Sequence, residues 1–483
     1  MPAPYDKPPV SDTSATASEA PLPTESVPPT ASRPWRDEFL ATVKLAWPLV
    51  VAQLASISLN ATDVIMMGWL GPDHIAAGSL ANSLFFTLFL GGLGLVSATS
   101  PLIAQAIGAR RGKEVRRIVR QGLWAAALFT ILVTPLVARF PIAFEALGQD
   151  PVVSDLAATY LSTAKWMVFP GLGLVVMRAL LSARGDTTVV LWVTVLGIFV
   201  NALGNYALMF GNFGLPRLEL AGAGISTSIV HLVMFLTLLG YVLFHRRYRR
   251  YHVLARLYKP DWTRLMQVLR IGTPISLTIL SEVGLFGAAS ILMGMLGRAE
   301  LAAHAVALQC ASISFMIPLG LSQATTVRVG LAFGAGDRAG IGRAGWVSMA
   351  VGMGFMLVAA ALFLFFPQRL VAFYLDAGDP ANTRTLALAA SFLGVAAAFQ
   401  LVDGAQAIMV AALRGLSDTR VPMLVAFAGY WIFGMGTAWL CGFVLGWRGV
   451  GVWLGLAAGL AFVAMVLTMR FVWRDRLGLT DAG

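Results

Sequence analysis

Residues 271–297 read IGTPISLTILSEVGLFGAASILMGMLG, and between the flanking Arg270 and Arg298 only Glu282 carries a charge. A run of this length and apolarity is typical of a helix that crosses a lipid bilayer. A carboxylate in the middle of such a run is unfavourable unless it faces a cavity or a partner. Glu282 is therefore a candidate functional residue.

The same stretch begins a second copy of the chain. MGMLG at 293–297 repeats MGWLG at 67–71, and the match continues without a gap, at a fixed offset of 226, from residues 67–109 into 293–335. Sixteen of the 43 aligned positions are identical, where the Ala/Gly/Leu-rich composition alone gives about a quarter of that number. The sequence therefore predicts two homologous halves.

The composition is that of an integral membrane protein. Of 483 residues, 58% are hydrophobic and 12% are charged, which is about half the charged fraction of a soluble protein. The long apolar runs suit helical spans, whereas an outer-membrane barrel needs short alternating segments. The net charge of +11 comes from short loops between spans, so we expect membrane lipids and no nucleic acid as partners. Cys310 and Cys441 lie inside apolar runs and predict neither a disulfide framework nor a metal site.

The chain divides into a tail and about twelve spans. Residues 1–34 are rich in Pro, Ser, Thr and Ala and predict a disordered tail. The predicted spans are 41–70, 75–107, 117–140, 154–182, 187–210, 222–244, 265–297, 301–333, 341–366, 382–413, 421–446 and 450–472.

Basic loops follow the even-numbered spans, and the longest of them contains RRYRR at 246–250. The positive-inside rule places these loops and both termini in the cytoplasm. We predict a first lobe at 35–244, a basic linker at 245–264, a second lobe at 265–473 and a tail at 474–483. The predicted fold is thus an all-α integral membrane protein with about twelve transmembrane helices in two six-helix lobes. Because each lobe has an even number of spans, a pseudo-twofold axis along the membrane normal relates them, and the binding site is expected between them.

Three acids are the only charges in the middle of their spans: Asp63, Glu282 and Asp403. The first of them continues a polar stripe on one helical face, formed by Gln53, Ser56 and Asn60. Spans five and six add further polar groups at Asn201, Asn205 and Thr227. Such oxygens suit Na⁺, and a carboxylate in a dry site also suits a proton, so both ions stay open. The alternative for the two asparagines is hydrogen bonding between helices.

The second half offers a comparable group. Gln400 and Gln406 flank Asp403 at three residues on either side, and Thr278 lies one turn before Glu282. Two cation sites are therefore conceivable: one at Asp63, Asn201 and Asn205, the other at Glu282 and Asp403. Near these spans, Asp186 and Asp418 each precede a predicted helix, and we interpret both as N-caps.

No enzyme motif or nucleotide-binding motif competes with a transport function. A membrane enzyme is therefore disfavoured, and active transport would need an ion gradient or a separate subunit. A flippase for lipids or lipid-linked precursors is one alternative, which the acidic character of the spans disfavours. An ion channel is another, but no glycine-rich filter loop is present.

Several motifs together resemble the multidrug and toxic compound extrusion (MATE) family, in particular its bacterial norfloxacin-exporter branch. They are Pro48 to Asp63 with Met66-Met67-Gly68, Pro274 with Glu282, Gln400 with Asp403-Gly404, and Ala412-Leu413-Arg414-Gly415 with Asp418-Thr419.

The resemblance implies a V-shaped cavity between the lobes and export of amphipathic organic cations in exchange for Na⁺ or H⁺. It also implies a monomer without a cofactor in the bacterial inner membrane, with Asp63 as the first-lobe acid and Glu282 and Asp403 as the second-lobe acids. Two positions depart from the family pattern. Asn205 stands where some members have an acid, and Phe399 where a Tyr often stands.

Overall fold

The computed structural model describes residues 35–146, 148–255, 257–376 and 378–481, and the regular structure in these ranges is entirely helical. The predicted tail, residues 1–34, lies outside them. Twelve helices are long and apolar enough to cross a membrane, and each coincides with one predicted span, which confirms the predicted fold class. They are α1 Trp35–Leu70, α2 Pro72–Gly108, α3 Gly112–Val137, α4 Pro151–Ala183, α5 Thr187–Phe210, α6 Glu219–Phe244, α7 Trp262–Leu296, α8 Arg298–Gly334, α9 Arg338–Phe365, α10 Thr383–Gly415, α11 Arg420–Val444 and α12 Arg448–Val472.

Helices α1–α6 form the first lobe and α7–α12 the second. In the first lobe, α1 packs on α5 and α5 on α6; in the second, α10 packs on α8, α9 and α12. The residue boundaries given above for the lobes, the linker and the tails stay predictions.

The backbone contacts between the lobes repeat at the offset of the sequence repeat. A Cβ placed on Gly94 of α2 would lie 2.5 Å from the Cα of Ser276 on α7, and one placed on Gly320 of α8 would lie 2.6 Å from the Cα of Val50 on α1. Both residues of the second pair are related to those of the first by 226 positions. Because only glycine allows such close approach of two helices, these positions carry the pseudo-twofold interface.

A second pair of contacts obeys the same rule. A Cβ on Gly108 would collide with the carbonyl oxygen of Leu331, and one on Gly334 would collide with that of Gln105. All four glycine contacts lie towards the membrane face at which α2 and α8 end. The lobes are therefore pressed together on that side.

Burial changes along α1 as it leaves this interface. Its first half contains buried residues up to Ala52, whereas residues 53–65 include none. In α7, likewise, residues 274–276 are buried and residues 279–284 are not. The middle of both helices is therefore not fully covered by other described parts of the protein.

Helix α11 contains two π-helical segments, Ala428–Gly434 and Leu440–Val444. A π segment adds a residue to the turn and re-aims the side chains, and such segments are frequent at functional sites. Here Tyr430 is fully buried, whereas the Trp431 Nε1 donates to the Ser281 Oγ on α7 at 2.9 Å. The hydrophobic pattern of span 421–446 predicts a regular helix and gives no sign of this change.

The interpretation that the side chains of Asp186 and Asp418 cap the following helices is wrong. Asp186 stands at the N-cap position but makes no capping hydrogen bond; its carboxylate binds Arg247 and Tyr248 at the end of the first lobe. Asp418 instead accepts from the Arg470 Nε at 2.6 Å. Both aspartates thus tie a loop after the fourth helix of a lobe to the end of that lobe, where a cation outcompetes the free backbone amides.

Candidate functional site

Asp63 of α1 lies against α5, and the side-chain amides of two asparagines on α5 donate hydrogen bonds to its carboxylate. The Nδ2 atoms of Asn201 and Asn205 donate to the same Asp63 oxygen, at 2.9 and 2.6 Å. The two asparagines are 2% and 0% exposed, and no donor among the described residues reaches their own carboxamide oxygens. Three acceptor groups therefore converge without enough donors, which is an arrangement that a bound cation would complete.

The rest of the predicted first-lobe set lies around this cluster with more ordinary contacts. The Ser56 Oγ donates to backbone carbonyls of its own helix, as does the Thr227 Oγ1. Gln53 is partly buried and Asn60 is exposed. The predicted polar stripe therefore exists, but the structure joins only Asn201 and Asn205 directly to Asp63.

The second-lobe cluster is more deeply buried. Asp403, Gln400 and Gln406 on α10 are 4%, 0% and 2% exposed, respectively. Within the described ranges, one carboxylate oxygen of Asp403 and the carboxamide oxygens of both glutamines have no hydrogen-bond donor. The glutamine amides point away from the acid, because Gln400 donates to the Ala311 carbonyl at 3.3 Å and Gln406 to the Tyr430 hydroxyl at 2.6 Å. Three unpaired acceptors so close along one helix create a strongly negative site.

Glu282 on α7 belongs to the same electrostatic group. Its carboxylate is close enough to repel that of Asp403 and to attract the guanidinium of Arg414. Thr278, which is 4% exposed, instead donates to the Pro274 carbonyl at 2.9 Å. Two interacting acids with one cation nearby leave the group one positive charge short, which a proton or a metal ion would supply.

Tyr430 and Tyr160 are site residues that sequence reasoning missed. Tyr430 reaches the second cluster from the π-helical part of α11, and Tyr160 of α4 is buried close enough to interact with the charge of Asp63. Phe399, by contrast, packs on Trp453 with ring centroids 5.5 Å apart. The family often has a Tyr at the position of Phe399 on α10. In this chain the tyrosine hydroxyl at the second cluster comes from Tyr430 on α11 instead.

A metal site here would depend on amide and hydroxyl oxygens. Within the part of the chain that the structure describes, no three His, Cys, Asp or Glu side chains come together to hold a metal ion. The oxygen-only sets at Asp63 and at Asp403 suit hard monovalent cations better than transition metals.

Ion pairs between described residues also join the lobes, in addition to the glycine contacts. Arg328 of α8 forms a bidentate pair with Glu38 of α1, at 2.8 Å from Nε and 2.5 Å from Nη2, and the two side chains are 11% and 4% exposed. Arg264 of α7 pairs with Glu114 of α3 at 2.8 Å. Glu38 and Arg264 occupy equivalent positions in the two halves, since they are related by the offset of 226. This position therefore carries a negative charge in the first half and a positive charge in the second.

A family model described as MatE matches residues 48–207 and 274–440. Its two copies begin at Pro48 and Pro274, which the offset of 226 relates. A probable multidrug resistance protein NorM of Mesorhizobium japonicum is 44% identical over 92% of this chain and 95% of its own length. A probable multidrug resistance protein NorM of Brucella suis is 43% identical over 93% of this chain and 95% of its own length.

Solved structures share the fold at lower identity. The eukaryotic MATE transporter AtDTX14 superposes with a TM-score of 0.82 at 20% identity, over 92% of this chain and 98% of that chain. An outward-facing multidrug resistance MATE transporter of the MOP superfamily gives 0.80 at 22% identity, over 92% and 97%. The chain therefore belongs to the MATE family, in the branch of its NorM relatives, and is a multi-pass membrane transporter rather than an enzyme.

Proposed function

We propose that this chain is a secondary active multidrug efflux antiporter, which exports amphipathic organic cations in exchange for Na⁺ or H⁺ by alternating access. The observation that carries the proposal is the pair of buried acidic clusters at Asp63 and Asp403, each with acceptor oxygens that lack donors. Membership of the MATE family and the multidrug resistance names of the relatives support the same function.

Drug and ion compete for the same negative charge. When Asp63, Glu282 and Asp403 are ionised and without an ion, the cavity attracts an organic cation. A proton or Na⁺ that binds there satisfies the free acceptor oxygens and neutralises the attraction, so the drug is released. The ion drives transport only to the extent that it binds one conformation better than the other.

The glycine contacts and the ion pairs between the lobes lie on the side where α1 and α7 begin, which the positive-inside rule makes cytoplasmic. We infer that this structure is closed to the cytoplasm and that its cleft opens outwards. Both termini are then cytoplasmic, the membrane is the bacterial inner membrane, and the six helices of each lobe allow a monomer to work alone.

The substitution Asp63→Asn tests the competition at the first cluster. We expect purified protein to bind a fluorescent lipophilic cation and Na⁺ or protons to displace it. Removal of this charge is expected to weaken binding of the dye by roughly tenfold and to reduce its displacement by the ion. Equilibrium fluorescence titration measures both effects.

Asp155→Asn is the matched control, since Asp155 is an exposed carboxylate of the same lobe. We expect its titration to match that of the wild type. If Asp63→Asn also binds and releases the dye as the wild type does, the first cluster has no part in the competition.

A further inference from the structure

The segment after α6 is a docked part of the first lobe. Tyr248 is fully buried, and its hydroxyl donates to Asp186, which Arg247 also binds at 3.0 Å. Burial, and then this hydrogen bond, raise the pKa of Tyr248 above its usual range, so the phenol stays a neutral donor. Tyr251 and Val253 are buried as well.

Helix α3 holds the second part of the segment. The Trp124 Nε1 donates to the Leu257 carbonyl at 2.8 Å, and the Arg120 Nη1 donates to the Ala255 carbonyl at 3.4 Å. The basic side chains of this segment are therefore presented from an ordered backbone. A ligand that binds them does not have to order the chain first.

Two adjoining clefts open on this segment. One, of about 310 Å³, is a shallow and largely open cleft lined by Arg246, Arg249, Arg250 and His252. The other, of about 330 Å³, shares Arg249 and His252 and adds the apolar side chains of Val242, Leu243, Val253 and Leu254. No carboxylate lines either cleft among the described residues. The joined clefts therefore offer a positive end and an apolar end to one molecule.

Exposed aromatic side chains place the clefts at a membrane surface. Phe244 at the end of α6 is 84% exposed, and Tyr258 and Trp262 at the start of α7 are 74% and 69% exposed. Aromatic residues of this kind mark the interface between lipid and water. The basic cleft thus lies at the depth of the lipid headgroups, and its positive charge repels the organic cations that the acidic clusters attract.

We propose that the two clefts together bind one anionic phospholipid of the cytoplasmic leaflet. The phosphate lies against Arg246, Arg249 and Arg250, and the glycerol and the first part of an acyl chain lie against Leu243 and Leu254. The apolar cleft favours a lipid over a soluble phosphate, and the positive charge favours an anionic over a zwitterionic headgroup. The leaflet follows from the orientation proposed above, whereas the binding itself does not depend on the transport function.

The test is lipid binding to the purified full chain, measured by native mass spectrometry during titration with phosphatidylglycerol. The double substitution Arg246→Gln/Arg249→Gln is expected to weaken binding about 30-fold, and Arg246→Gln alone about fivefold, because each basic residue near the headgroup contributes a similar factor. The control Arg420→Gln/Arg476→Gln removes two exposed arginines elsewhere on the proposed cytoplasmic side and is expected to stay within about twofold of the wild type.

Two further ligands show whether the site binds an anionic lipid or a soluble phosphate ester. Phosphatidylcholine is expected to bind more weakly than phosphatidylglycerol, and the deacylated headgroup glycerophosphoglycerol is expected not to displace the lipid. The proposal is wrong if Arg246→Gln/Arg249→Gln binds phosphatidylglycerol as the wild type does, or if the control Arg420→Gln/Arg476→Gln loses as much binding. It is also wrong if phosphatidylcholine binds as well as the anionic lipid. Displacement by glycerophosphoglycerol at equal concentration would also overturn it, because the site would then be one for soluble phosphates.

Discussion

Asp403→Asn is expected to slow ion-driven export strongly and at the same time to make the protein more stable. The carboxylate is 4% exposed and has an oxygen without a donor, so its charge needs a counter-ion or a proton. Asparagine has nearly the same shape but carries no charge, so it takes up no proton and attracts Na⁺ only weakly. Loss of a buried charge interaction of about 2 kcal/mol lowers the initial rate of drug uptake into everted vesicles by roughly 30-fold.

The stability of the same variant separates a functional effect from misfolding. The new side-chain amide of this variant is a donor for the Gln400 and Gln406 oxygens, both of which lack one. Removal of the buried charge also stabilises the folded state. We expect the free energy of unfolding to rise by about 1 kcal/mol. Na⁺ or protons should raise the melting temperature of the wild type and not that of the variant.

Asp73→Asn, at an exposed carboxylate at the start of α2, is the control for both measurements and should behave as the wild type. An Asp403→Asn protein that exports drug normally would remove the second cluster from the mechanism. One that has lost transport only because it is less stable would make Asp403 a structural residue.

Sequence reasoning predicted Asp403 because an isolated charge in an apolar span is conspicuous in any membrane helix. Asn201 and Asn205 were candidates either for a cation site or for hydrogen bonds between helices. In the structure they form hydrogen bonds between helices, and their partner is the candidate acid Asp63. Tyr430 could not be predicted. Its position depends on a π segment, which depends on packing against neighbouring helices and leaves no mark in the hydrophobic pattern.

Substitution of the ion pair between Glu38 and Arg328 is expected to shift the protein towards the conformation that is open on the side of this pair. Glu38→Gln leaves the guanidinium of Arg328 without a counter-charge in an almost dry interface between the lobes. The cost of about 3 kcal/mol falls only on the closed state. It changes the ratio of the two conformations by roughly 150-fold.

Spin labels report this change as a distance. Arg111→Cys and Arg420→Cys place labels on exposed positions of the two lobes on the proposed cytoplasmic side, while the natural Cys310 and Cys441 are buried. Double electron–electron resonance should show a longer distance in Glu38→Gln. The exchange Glu38→Arg/Arg328→Glu restores opposite charges and should restore the short distance.

Asp481→Asn breaks an exposed ion pair with Arg338 and should leave the distance unchanged. A Glu38→Gln protein with the distances of the wild type would show that the pair does not hold the lobes together. A double exchange that stays in the long-distance state would show that charge is not what the interface requires.

The twelve helices and the pseudo-twofold relation could be predicted because hydrophobic run length and a fixed repeat offset both survive in the sequence. The ion pairs between the lobes could not. Glu38 and Arg328 lie 290 residues apart, and at sequence level each resembles an ordinary charge at a helix end. The wrong interpretation of Asp186 and Asp418 has the same origin, because local spacing suggests a cap while a distant arginine decides the contact.

The most direct test of the central claim is accumulation of a fluorescent lipophilic cation in proteoliposomes that contain the purified wild-type chain. An outward-directed proton gradient, an outward-directed Na⁺ gradient or no gradient is imposed in turn. We predict uphill accumulation of the cation with one of the two gradients, its collapse when that gradient is dissipated, and an opposite flux of the same ion. Movement of the cation only down its own gradient, at a rate that neither ion gradient changes, would contradict antiport.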